Sequence, residues 1–149
     1  MREKLMDALK AAMKAKESAR ISTIRMVQAA IKDLEIANRT KPNAETTDGD
    51  IAQLLAKLVK QREESAKIYD EGGRPELAQK EREEIAIISE FMPKQLSEAE
   101  AAEVIKGVMA ETGAASIKDM GKVMAVLRER YPGQMDFGKA SGQIKSLLG

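Results

Sequence analysis

Apolar residues in this chain recur three and four positions apart, and no stretch alternates with the period of two that a half-buried strand requires. That regularity predicts an all-α fold. Leu5, Leu9 and Met13 mark a first helix that breaks near Glu17-Ser18. Ile21, Ile24, Val27 or Gln28, Ile31 and Leu34 mark a second, reaching about Ala37. The segment NRTKPNAETTD is polar throughout and reads as a loop. Asp48 or Asp50 is placed to cap a third helix, whose stripe is Ile51, Leu54, Leu55 and Leu58, then Ile68 and Tyr69. Gly72-Gly73 ends it, and Pro75 suits the first position of a fourth helix carrying Leu77, Ile85, Ile88 and Phe91.

The run FMPKQLSEAE interrupts the pattern. Pro93 stops the fourth helix, and Ser97 with Glu100 has the spacing of a capping box. Three shorter helices follow, at about 97–112, 116–130 and 136–148, separated by Gly113 and by Tyr131-Pro132-Gly133. Ser116 with Asp119 is a second capping-box pair, and Asp136 is the natural cap of the last helix. The expected organisation is a four-helix N-terminal bundle over residues 1–93, with helices two and three as a long antiparallel hairpin, and a small three-helix domain over 94–149. A body of 149 residues can bury about 68–70% of its unfolded surface, enough for a core without covalent staples.

Composition narrows the chemistry. The sequence has no cysteine and no histidine, which removes disulfides, thiolate nucleophiles, the commonest general base and the usual zinc ligands. We therefore expect no catalytic residues, no metal site and no cofactor. The opening MREKLMDALK is charged throughout, and no run approaches 18 apolar residues, which reads as a cytoplasmic protein with no membrane partner. Asn38-Arg39-Thr40 matches a glycosylation pattern that carries no weight without a secretion signal.

Formal net charge is only +1, but it is unevenly spread. Residues 1–47 hold ten basic and six acidic side chains, 48–94 eight and eleven, 95–115 one and four, and 116–149 six and three. Both ends are positive and the middle is negative.

The stretches RISTIRMVQAAIKDLE, KQREESAKIYDEGGRPELAQKE, EFMPKQLS, DMGKVM and DFGKASGQIKSLL together resemble the YqeY-like proteins, in family order through essentially the whole chain. The C-terminal part of that family is similar to the tail domain found in the tRNA-contacting subunit of the aspartyl/glutamyl-tRNA amidotransferase. There the tail touches tRNA while the chemistry lies in other domains. The resemblance implies a two-part helical protein with tRNA as its candidate partner.

Within SIKDMGKVMAVLR, Gly121 interrupts a helical pattern, where glycine costs roughly 1 kcal/mol relative to alanine. At 100° per residue, Lys118, Gly121, Lys122, Ala125 and Arg128 share one face, while Ile117, Met120, Val123, Met124, Leu127 and Tyr131 cover the other. Lys139, Gly142 and Gln143 repeat the arrangement on the last helix, with Ser146 beside them. A floor of small side chains bordered by cations lets a backbone come close and suits phosphates. Three readings stay open for the glycine: RNA contact, close packing of a neighbouring helix, or tolerated drift. Glu129 lies on the same face and would repel phosphate.

The chain has four aromatics, Tyr69, Phe91, Tyr131 and Phe137, and all but Tyr131 fit apolar stripes. Any RNA is then expected to be held by backbone and shape rather than by stacking of bases. KQREES, with Arg20 and Arg25, is a weaker basic candidate whose i,i+4 pairs Lys60–Glu64 and Glu63–Lys67 suit a solvated helix. The cluster KEREEI lacks the histidine of a di-iron motif and reads as an ordinary helix boundary. The nine methionines read as gap-fillers in an aromatic-poor core.

The function expected from all this is a non-catalytic helical module that binds tRNA or assists an amidotransferase-like complex, its N-terminal bundle offering a protein contact. The alternative is a protein-interaction adaptor that touches no RNA. Carbon–nitrogen ligase activity is the remote third reading, since neither a GxxxxGK[ST] loop nor a Ser-Ser-Lys amidase pattern is present.

Overall fold

The structure, a computed structural model, describes residues 2–40 and 45–148. Among these, seven α-helices and one 3₁₀ turn account for all the regular structure. The chain divides into two compact units, residues 1–92 and 93–149. Unit 1 holds α1 (Arg2–Lys14), α2 (Ser18–Asn38), α3 (Asp48–Glu71) and α4 (Pro75–Ser89). Unit 2 holds α5 (Glu98–Thr112), a 3₁₀ turn (Ile117–Asp119), α6 (Met120–Arg130) and α7 (Phe137–Leu148).

Unit 1 is organised by its longest helices. At about 1.5 Å per residue, α2 and α3 are roughly 31 and 36 Å long. They run antiparallel, with Asn38 bonded to Thr46 at one end and the Arg62 guanidinium 3.4 Å from Met26 Sδ further along. The most extensive packing in the unit, however, is between α3 and α4, with α2 lying against α1 and α4. The core that results combines Leu5, Ile24, Val27, Ile51, Leu55, Ile88 and Phe91.

Cap chemistry explains the boundaries. Thr47, not Asp48 or Asp50, is the N-cap of α3: its side chain accepts from Asp50 N–H, and the Asp50 carboxylate accepts from Thr47 N–H. Asp50 is thus the third residue of a capping box, where a carboxylate satisfies a free helical donor. Gly73 takes a left-handed conformation after α3, and Pro75 opens α4. α4 ends at Ser89, earlier than Pro93, but tighter i→i+3 bonds continue to Met92, the last residue before the proline. The middle of the polar segment NRTKPNAETTD, Lys41 to Ala44, lies outside the described residues. Asn38 closes α2 with its amide buried and donating to Thr46 Oγ1 at 3.0 Å, which leaves no room for a glycan.

Two expected core positions of unit 1 are exposed. Met13 is 50% and Ile68 is 65% exposed, while Ala12 and Ala66 are buried beside them. Small residues let the helix ends approach their neighbours, and the larger side chains are left on the outer flank. The methionines divide in the same way: Met124 and Met135 are buried, but Met6 and Met13 face solvent.

Unit 2 is a three-helix arrangement around Ile105, Val108, Val123, Met124, Leu127, Met135, Ala140 and Ile144. Ser97 and Glu100 form the expected capping box at α5. The backbone N–H of Ser97, joined by its hydroxyl, holds the Glu100 carboxyl below the usual carboxylate range. Gly113 ends α5 in the left-handed conformation, and Asp136 Oδ1 caps α7 by accepting from Gly138 N–H at 2.8 Å and Lys139 N–H at 3.3 Å. No helix among the described residues is long and apolar enough to cross a membrane.

Candidate functional site

The entry into α6 places the glycine that the sequence singles out. Asp119 accepts from the N–H groups of Ala115 at 3.0 Å and Ser116 at 3.2 Å, and those two bonds pull its pKa below the ordinary value. The chain makes a 3₁₀ turn through Ile117–Asp119 before the α-helix begins. Gly121 is therefore the second residue of α6 rather than the middle of a longer helix. The turn also rotates Ile117 outward, leaving it 51% exposed instead of part of the apolar face.

Gly121 and Gly142 are both exposed, and a Cβ built on either would meet nothing within 4 Å. Neither glycine is needed to admit a neighbouring helix of this unit, so the close-packing reading fails. What remains at both positions is a surface without side-chain bulk.

The eight expected contact residues, Lys118, Gly121, Lys122, Ala125, Arg128, Lys139, Gly142 and Gln143, are all exposed. They do not form one continuous face. Arg128 lies over the Phe137 ring, 5.8 Å from its centroid, and Ser141 Oγ lies 3.6 Å from Met120 Sδ. Those contacts fix the seam between α6 and α7. Gly121, seven residues before Arg128 and so about 20° from it around the helix, borders that seam. Ala125 and Lys122 follow further round α6. Lys139 and Gln143 instead line a cleft against the start of α5, together with Leu96, Glu98 and Met135. Gly142 lies between the two groups.

One cation was not anticipated. Lys145 is three residues beyond Gly142 and shares the edge of α7 that carries Ser141, next to the seam, by the same 100° rule. The rule applied to the α7 sequence would have found it had the α6-facing side been known.

These cations are available. Among the described residues, Lys118, Lys122, Arg128 and Lys139 take part in no ion pair. Arg130, on the opposite side of α6, is engaged: its guanidinium makes two 2.6 Å bonds to Glu111 of α5, which hold the Glu111 carboxyl below its usual range. None of the four aromatic residues is exposed; Phe91 is buried, and Tyr131 packs against the core of unit 2. Among the described residues no three Asp or Glu side chains group as metal ligands would.

The other basic candidate has a structural role. In KQREES, Arg62 is half-buried, donates from Nε to Glu84 at 2.9 Å, and donates from a terminal nitrogen to the Leu58 carbonyl at 3.0 Å. The i,i+4 pairs Lys60–Glu64 and Glu63–Lys67 do not close to ion-pair distance, as expected for long exposed side chains that water solvates better. Arg20 is paired with Glu90, while Arg25 is exposed. Glu84 of KEREEI is thus committed to Arg62, and Arg82 to Asp70.

Fold and surface together define an all-α chain of two units, the second presenting unpaired cations around small residues. The family model for Yqey-like proteins matches residues 2–148, and the chain belongs to that family. It is 42% identical over 84 residues to the altered inheritance of mitochondria protein 41, mitochondrial, of Eremothecium gossypii, covering 56% of this chain and 44% of that protein. The protein of the same name from Clavispora lusitaniae is 34% identical over 84 residues, covering 56% and 46%. An uncharacterised protein of Schizosaccharomyces pombe is 29% identical over 97 residues, covering 65% and 72%. The chain thus spans less than half the length of the two mitochondrial relatives.

Proposed function

We propose that the protein is a non-catalytic helical module that binds folded RNA of the tRNA kind through unit 2, alone or beside an amidotransferase-like enzyme. The observation that carries this reading is the open, bulk-free surface at Gly121 bordered by cations that close no ion pair among the described residues. Lys118, Lys122 and Arg128 hold phosphates, and Gly121 and Ala125 allow the sugar–phosphate backbone to come close. Arg128 is presented from above the Phe137 ring, which limits the freedom it loses on binding. With no exposed aromatic, duplex shape and backbone dominate recognition. The setting is an aqueous compartment, the cytoplasm or, as the names of two relatives have it, the mitochondrion.

A filter-binding titration of bulk tRNA tests the reading. Wild type retains tRNA at low salt and loses it steeply as salt rises. The double variant Gly121→Leu with Lys122→Glu loses retention at all salts while keeping its helical circular dichroism. Undiminished retention by the double variant removes this face.

A second reading has its own support. Met6, Met13, Ile36 and Ile68 leave apolar side chains on the surface of unit 1, as an adaptor that contacts another protein would. Partners that survive nuclease treatment in a pull-down, with no tRNA retained, favour that reading over the first.

A further inference from the structure

Lys139 and Gln143, which the fold separates from the α6 surface, line a cleft of about 170 Å³ between the starts of α5 and α7. Its floor is apolar, built from Leu96, Met135 and Ala140, the last two buried. Its walls are fixed by the unit's own bonds. Leu96 N–H donates to the Gln134 carbonyl at 2.8 Å, and Gln95 Nε2 donates to the Gly133 carbonyl at 2.6 Å. The cleft therefore exists before any ligand arrives. It is well below the roughly 300–1,000 Å³ of a drug-sized site, which leaves room for one small group.

The rim decides the chemistry of that group. Glu98 and Asp136 line the cleft together with Lys139 and Gln143. Asp136 Oδ1 is occupied in capping α7, leaving the other oxygen. Among the described residues neither Glu98 nor Lys139 joins an ion pair, and the Gln143 amide makes no hydrogen bond to another residue. Two carboxylates disfavour a phosphate. Acceptors and donors around an apolar floor instead match an uncharged flat group with both kinds of atom on its edge.

In an RNA ligand, that group is an unstacked base. Guanine offers two adjacent N–H donors, at ring N1 and exocyclic N2, to a carboxylate, and its O6 to an ammonium. Uracil offers one N–H between two carbonyls, so it gives a carboxylate one bond where guanine gives two. A thioether and an aliphatic side chain form an adequate floor for one ring face. We propose that the cleft takes a single unpaired guanine of the RNA held by unit 2, its N–H edge on Glu98 and its O6 toward Lys139. The proposal rests on the RNA reading above.

Nuclear magnetic resonance of the full chain tests it without requiring RNA to bind. Guanosine 5′-monophosphate should shift the Met135 methyl and the Gln143 side-chain amide, and uridine 5′-monophosphate at equal concentration should not. Glu98→Gln with Lys139→Ala should abolish that response while the rest of the spectrum keeps its folded dispersion. Equal responses to the two nucleotides, or a response to neither, overturn the proposal.

A second arm separates it from the RNA reading. A duplex with one bulged guanine should bind roughly tenfold more tightly than one with a bulged uracil. Retention of both duplexes with no preference overturns the guanine cleft and leaves the RNA reading standing. A guanine-specific spectral response with no RNA retained at any salt keeps the base specificity and overturns the RNA reading.

Discussion

Arg2, Arg20, Arg62 and Arg82 each reach from one helix of unit 1 to an acidic side chain elsewhere in that unit: Glu35, Glu90, Glu84 and Asp70. In unit 2, among the described residues, Arg130 alone is paired, and the other cations of α6 and α7 face water. Unit 1 carries more charge in total, yet four of its seven arginines are compensated within it. The small positive excess of residues 116–149 is worth more for recognition because less of it is neutralised by the fold. Counting charges along a chain cannot make that distinction; pairing them in space can.

The largest expected effect probes whether the two units hold together separately. Leu127 is fully buried in the core of unit 2, and Leu127→Ala should cost about 2–5 kcal/mol. Hydrogen exchange should then accelerate in α5, α6 and α7 and stay unchanged in α1–α4. Equal acceleration throughout would break the contrast, because it would make the units one cooperative body.

Next in size is the contrast between a paired and an unpaired arginine. Arg62→Ala leaves Glu84 half-buried without its partner and should cost about 1–3 kcal/mol in urea unfolding. Arg128→Ala loses an exposed cation–π contact and should cost no more than about 1 kcal/mol. In tRNA titrations the order reverses: Arg128→Ala lowers the salt slope by about one, and Arg62→Ala leaves it unchanged.

A smaller effect has the opposite sign. Gly121 has no left-handed backbone and nothing within 4 Å of an added Cβ. Gly121→Ala should therefore stabilise unit 2 by about 0.4–1 kcal/mol, measured as a higher urea midpoint. Destabilisation would mean that the glycine serves the fold and not the surface.

The smallest effect lies in acid. Asp119 and Glu100 have depressed pKa values in the folded protein, each held down first by backbone N–H donors. A carboxylate with a lowered folded pKa contributes stability above its unfolded pKa, and that contribution disappears as pH falls through the folded value. Unit 2 should weaken below the ordinary carboxylate range, and Asp119→Asn should flatten part of that acid slope in pH-dependent unfolding. An unchanged slope would take Asp119 out of that acid sensitivity and leave it to the other depressed carboxylates of unit 2, Glu100 and Glu111.

Much of the helical frame was legible in the sequence because helix ends are decided locally. Ser97 with Glu100, Gly113, Asp136 and Pro75 each act on backbone groups a few residues away, so spacing alone reveals them. Lys16 was not legible: it takes a left-handed conformation between α1 and α2, a place where sequence offers no glycine and only the packing of the two helices demands the turn. Met13 and Ile68 were misplaced because periodicity marks a face but not where along a helix its neighbour ends. For the candidate surface, the exposure of Gly121 and Gly142 agrees with the helical wheel, but the division between the α6 seam and the Lys139–Gln143 cleft does not appear in it.

By itself the sequence determined the all-α class, the caps of α5 and α7, the family and the absence of thiol and imidazole chemistry, since each depends on residue identity or on contacts within one turn. Tertiary structure alone decided which cations are left unpaired, that α3 lies mainly along α4, and that α7 turns one flank to α6 and another to α5. Those outcomes depend on the rotation of one helix against another. That rotation is set by the sum of many side-chain contacts, and no short stretch of the chain records it.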